Sequence, residues 1–168
     1  NLNANIELKE IFSLIFPEFK NLKRLERLIK INDNLQINRN LLLAILLIDD
    51  KLTHEYFSHK YNISNDIKDS LNSFAKNFKL IRENKDFFNK DLEKNIYLFD
   101  KDYLINLNIL HYAINPKFKY KDFSETLSKI LNSKIHSFPY DGKYLKENGM
   151  EQGSLIGQAL NEIEEEWI

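Results

Sequence analysis

Residues 39–48 read Arg-Asn-Leu-Leu-Leu-Ala-Ile-Leu-Leu-Ile. The run from Leu41 to Ile48 is apolar on every side. Its eight residues are too few for the about twenty that span a bilayer, so it predicts a helix buried at the centre of a bundle, and no membrane segment. The flanks share the helical period. Upstream, Leu22, Leu25, Leu28 and Ile29 share one face of a helix over about Leu22 to Ile31, with Lys23, Arg24, Arg27 and Lys30 around the other. That basic face reads as a solvated surface and as a candidate phosphate-contacting stripe. Further upstream, a helix over about Ile6 to Phe16 is stopped by Pro17.

Downstream the periodicity predicts a short helix over Thr53 to Lys60, then one capped by Ser64 with Ile67, Leu71, Phe74, Ala75 and Phe78 as its apolar stripe. Three more follow, over Asp86 to Leu98, Lys101 to Ala113 and Lys121 to Asn132, with Asn115-Pro116 separating the last two. Strand-like alternation is hard to find anywhere. The expected fold is therefore all-α, an irregular multi-helix bundle. It divides into a helical body, residues 1–133, and a tail subdomain, residues 134–168, entered through an extended connector from Lys134 to Tyr140.

All four glycines of the 168 residues fall in the tail, at Gly142, Gly149, Gly153 and Gly157. Glycine serves where the backbone needs a positive φ or a close approach, so the cluster marks the tail as the place of special backbone geometry. Leu145 to Gly149 reads as a short helix closed by a C′ glycine, and Gly153-Ser154-Leu155-Ile156-Gly157 opens a second helix with Leu155, Ile156, Ala159, Leu160, Ile163 and Trp167 on one face. Gly157 is placed to let a neighbouring segment approach. Amides near Gly153 and Ser154 are candidate phosphate donors, with Lys143 and Lys146 as the nearby charges and Lys134 and His136 in the connector as further RNA contacts.

The other constellations carry less. His54 and His59 are five apart, about 140° around a helix, so they do not share the face that a zinc-protease pair needs. His111 reads as a half-buried packing or hydrogen-bonding residue. Asp49-Asp50 reads as a helix-end feature rather than a metal clamp, because adjacent side chains on a helix diverge. No glycine-rich phosphate loop exists before residue 142, and no nucleophile-base order stands out, so no catalytic residue and no metal ligand are assigned. The absence of cysteine excludes disulfides and thiolate sites and suits a reducing cytosol; with no leader at Asn1, a cytoplasmic location is expected. The start without methionine suggests a piece of a longer protein.

Net charge is −1, but residues 1–140 carry +4 and residues 141–168 carry −5. This is not the balance of a typical isolated nucleic-acid module, and it argues against a helix-hairpin-helix DNA binder. RNA contacts, if made, come from local lysines and backbone amides.

The pattern Phe138-Pro139-x-x-Gly142-x-x-Leu145-x-x-x-Gly149-x-x-x-Gly153-x-x-Ile156-Gly157-x-x-Leu160, followed by an acidic helix ending in Trp167, resembles the tail of bacterial CCA-adding tRNA nucleotidyltransferases and the related poly(A) polymerases. The segment from Ile11 to Leu47 resembles the start of that family's helical body. Tyr144 stands where the family commonly has an aspartate, and Ser154 where it often has a proline. The family's catalytic head and nucleotide-template neck motifs do not occur in this chain. The resemblance implies a tRNA-binding body and tail that position the acceptor and T arms. A head and neck, in the same or a separate chain, would bind Mg²⁺ with CTP or ATP and add CMP or AMP. The segment alone would then be inactive, and the structural motif would rest on Gly142, Leu145, Gly149, Gly157 and Leu160. The alternative is a non-catalytic helical scaffold whose acidic last helix docks a protein.

Overall fold

A computed structural model describes residues 14–31, 35–134, 137–151, 153 and 155–167. A 3₁₀ turn, Leu22–Arg24, leads into α1, Leu25–Leu28. Then come α2, Arg39–Leu47; α3, Thr53–Lys60; α4, Asn65–Glu83; α5, Leu92–Phe99; α6, Lys101–Ile114; α7, Tyr120–Asn132; α8, Gly142–Glu147; and α9, Leu155–Trp167. The described residues contain no strand, and the fold is an all-α multi-helix bundle. No helix among them is long and apolar enough to cross a membrane. The expected Ile6 to Phe16 helix lies mostly outside the described residues, although Leu14 and Ile15 are helical.

Helix α2 is buried inside the bundle, as its composition predicts. It packs against α3, α4 and α6, and Leu41, Ala44, Ile45 and Leu47 are fully buried. Its start is set by Asn38, whose Oδ1 accepts from the Leu41 amide at 2.8 Å. No glycine ends it. Ile48 turns extended, and its last carbonyls are satisfied from a distance: Arg24 Nη1 donates to the Ile45 and Ile48 carbonyls, both at 2.8 Å, and Asn21 Nδ2 to that of Leu46 at 3.3 Å. A cation at this helix end also complements the dipole.

Helix α6 forms the second layer, touching α1, α2, α4, α5 and α7, with Leu104, Leu107, Ile109 and Leu110 fully buried. Helix α4 realises its expected stripe: Leu71, Phe74 and Phe78 are buried, and Ile67 and Ala75 pack against the core. Ser64 occupies the N-cap position of α4 but makes no side-chain capping bond.

Three expectations change. The helix predicted over Asp86 to Leu98 begins only at Leu92; residues 85–91 are turns, because Asn84 grips Asp91 Oδ2 with Nδ2 at 2.7 Å and accepts the Asp86 amide at 2.9 Å. Asn95 Nδ2 then takes the Phe87 carbonyl at 2.7 Å, holding Phe87 and Phe88 in the core. Ile29, expected on the apolar face of its helix, is 83% exposed, since α1 stops after four residues and the chain turns. Positive φ is not confined to the tail: Leu52, Asn62 and Asp100 adopt φ of 56°, 45° and 62°, whereas Gly149 alone among the glycines does so, at 96°.

Candidate nucleic-acid interface

The tail starts with residues 137–141, which have no regular structure. Asp141 Oδ1 accepts the Tyr144 amide at 2.8 Å and starts α8 three residues before the expected Leu145. Gly149 ends it as predicted. The Met150 amide returns to the Leu145 carbonyl at 3.0 Å and the Gly149 amide to that of Lys146 at 3.1 Å, the paired bonds of a Schellman closure. The positive φ at Gly149 is what makes that closure easy.

Helix α8 lies against the first turn of α9. A Cβ built on Gly142 would stand 3.3 Å from Ile156 Cγ2, so the close approach expected at Gly157 occurs at Gly142 instead. Gly157 and Gly153 face open space, with nothing within 4 Å of such a Cβ. Ile156 is the one buried side chain described in α9; Ala159, Leu160 and Ile163 are half-buried, while Leu155, predicted on the same face, is 64% exposed. Leu155 opens the packed turn, but its side chain stays in solvent while that of Ile156 makes the contact.

The far end of α9 docks on the body. The Trp167 ring meets Tyr97 of α5 edge-on at 5.2 Å and Phe138 at 5.8 Å. The Tyr97 hydroxyl donates to Glu164, and this bond, then burial, raises its pKa, so the donor stays protonated.

The predicted contact residues are partly assembled. Gly142 against Ile156 brings Lys143, next in the chain, beside the first turn of α9. Lys143 and Lys146 are exposed; Lys143 is 3.7 Å from Glu147, and Lys146 has no ion pair among the described residues. Gly153 is exposed ahead of α9 and accepts the Ile156 amide at 3.3 Å. Lys134 is exposed after α7. Ser154 and His136 lie outside the described residues.

The basic face of α1 behaves differently from its reading as a solvated stripe. Arg24 closes α2, and Arg27 Nη2 donates to the Phe118 carbonyl at 2.5 Å while its guanidinium sits 4.3 Å over the Tyr112 ring. Polarity at helical spacing signalled surface. Arginine's reach, from the 3₁₀ turn to the end of α2 for Arg24 and from α1 to Tyr112 and Phe118 for Arg27, made these two residues internal braces, leaving Lys23 and Lys30 exposed.

His54 is buried and His59 exposed, on different sides of α3. Burial lowers the His54 pKa against the pull of Glu55 and Asp49. Asp49 is a helix-end residue: its Oδ1 accepts the Lys51 and Thr53 amides at 2.9 and 3.1 Å, and its Oδ2 accepts the Thr53 hydroxyl at 2.7 Å. Burial works to raise its carboxyl, and the Thr53 bonds outweigh it and lower the pKa. Asp50 instead pairs with Arg82 at 2.6 Å. Among the described residues no three His, Asp or Glu side chains converge. No family model matches this chain, and no curated protein or solved structure matches it.

Proposed function

We propose that this chain is the tRNA-holding body and tail of a CCA-adding nucleotidyltransferase or related polymerase, working with a catalytic head and neck in the same or a separate chain. The observation that carries the reading is the glycine-spaced pattern over residues 138–167. Its fixed positions do distinct physical jobs: Gly142 admits Ile156, Gly149 closes α8, and α9 opens two residues after Gly153. Such a module contributes by positioning RNA, through phosphate contacts and shape, rather than by bond chemistry. The chemistry, with its Mg²⁺ and CTP or ATP, belongs to the partner head, and a cytoplasmic setting follows from that role.

The test is binding of the isolated chain to a tRNA minihelix and to a non-tRNA hairpin of equal length across a salt series. Preference for the minihelix is expected, with log affinity falling against log salt at a slope of about −3 if some three phosphates are held. Equal binding, or none at low salt, would sink the reading.

A further inference from the structure

A cavity of about 630 Å³ opens where the C-terminal ends of α4 and α6 converge, rimmed by the loops 84–89 and 115–118. That volume lies within the range of small-ligand sites. Its lining has three properties that bear on what it can hold.

The first is planar aromatic wall. Phe78, Phe87, Phe88 and Phe118 line it together with the imidazole of His111. His111 stacks on Phe118 at 4.3 Å, 19° from parallel, and meets Phe78 edge-on at 6.2 Å. The second is charge. Arg82, Lys85 and Lys117 line the cavity against one carboxylate, Asp50, which is already tied to Arg82. Lys85 and Lys117 are exposed and have no ion pair among the described residues.

The third is a fixed imidazole. The Lys117 amide donates to Asn115 Oδ1 at 3.0 Å, which fixes the Asn115 amide, so its Nδ2 donates to His111 Nε2 at 3.0 Å. The neutral ring therefore carries its proton on Nδ1, and that buried atom has no acceptor among the described residues. Burial lowers the His111 pKa to about 4, which keeps the ring in this form. The walls are also preformed: the Asn84–Asp91 and Asn95–Phe87 bonds pin one loop, and Lys129 Nζ holds Asn89 Oδ1 at 2.9 Å.

An apolar ligand has no use for the cationic rim, and a bare anion has none for stacked rings. We infer that this cavity binds a nucleotide, its base against the Phe118–His111 stack and its phosphate at Lys85 and Lys117. Base-on-aromatic stacking with cations along the backbone is the general mode for unpaired nucleic acid. The nucleotide is either free or an unpaired residue of an RNA. The site is separate from the tail and independent of the tRNA reading: a chain indifferent to the minihelix would still bind here.

The experiment titrates the full chain with CMP, AMP and a single-stranded trinucleotide, and with cytidine, adenosine and inorganic phosphate. Calorimetry reads affinity, and side-chain NMR reads the His111 ring. At least one nucleotide-bearing probe is expected to bind below millimolar concentration and shift the His111 signals, at least tenfold tighter than its nucleoside or phosphate alone. Mononucleotide binding supports the site with a free ligand; binding of the trinucleotide alone supports it with an RNA-borne one. Lys85→Glu with Lys117→Glu, at exposed positions that leave the fold intact, should weaken binding at least tenfold, and Phe118→Leu by a similar factor. The inference is overturned if no probe binds at millimolar concentration, or if the double charge reversal leaves affinity unchanged.

Discussion

Protonation of His111 should destabilise the fold over a defined pH window. The ring is stacked on Phe118 and held by Asn115, and burial lowers its pKa from 6.5 to about 4. Between those values the unfolded chain carries a proton that the native chain refuses, so stability is full above pH 6.5, falls as pH drops, and levels off below about 4. At about 1.4 kcal/mol per pH unit, the loss is about 2 kcal/mol from pH 7 to 5 and about 3 kcal/mol by pH 4. Urea unfolding of the wild-type chain and of His111→Phe at pH 7 and 5 isolates this term. Phenylalanine keeps the stack and cannot titrate, while His54, also lowered by burial, contributes equally to both chains. The wild type should lose about 2 kcal/mol more than the variant across the interval. Parallel losses in the two chains, or an NMR titration of His111 at the ordinary histidine value, would refute the reasoning.

Two further perturbations probe how the bundle is braced and how the tail turns. Arg24→Ala strands the Ile45 and Ile48 carbonyls at the end of α2, and Arg27→Ala removes the Phe118 bond and the Tyr112 contact; each should cost about 1–3 kcal/mol by urea unfolding. An arginine that only decorates the surface would cost under about 0.5 kcal/mol. Among the glycines, Gly149→Ala should cost about 1–2 kcal/mol because its φ is positive, while Gly157→Ala, inside α9 with open space at the Cβ, should gain about 0.5–1 kcal/mol. Thermal unfolding that follows the reverse order would show that the glycines do other work.

The helical skeleton was readable because most of its signals are local. Residues 41–48 are apolar on all sides, so their central place needs no knowledge of partners, and Thr53–Lys60 has the same bounds in the sequence reading and in the fold. What escaped depends on distant contacts. Arg27 bonds a carbonyl 91 residues away, and no periodicity records that reach. The delayed start of α5 comes from asparagine side chains competing with the backbone ladder, a competition that an apolar stripe conceals. Glycine also misled: three body residues hold positive φ without it, and Leu52 does so in the short link from α2 to α3, where closing that link fixes the backbone more firmly than its side chain resists. Asp100 meets the same demand between α5 and α6 and recovers part of the strain by accepting the Tyr103 amide at 2.8 Å.

The acidic tail is the strongest objection to holding RNA there, and for the four glutamates of α9 distance along the helix decides its weight. Glu162, Glu164, Glu165 and Glu166 stand at the C-terminal half of α9, where its dipole already disfavours negative charge. At 1.5 Å per residue, Glu162 lies about 10 Å along the axis from Leu155, where α9 starts, and the others farther. The screening length at physiological salt is about 8 Å, so exposed carboxylates at that range are largely muted at the helix start. The contact between Gly142 and Ile156 brings the Lys143 segment to this same start, whereas Glu164 and Trp167 meet Tyr97 at the opposite end. Of the seven carboxylates in residues 141–168, these four glutamates stand on α9, while Asp141, Glu147 and Glu151 precede it, Glu147 at 3.7 Å from Lys143. The acidic end of α9 is engaged in docking on the body, and the carboxylates that weigh against phosphate at its start are Asp141, Glu147 and Glu151. Glu147→Gln with Glu151→Gln should therefore strengthen minihelix binding at low salt, where loss of the α9 glutamates should not.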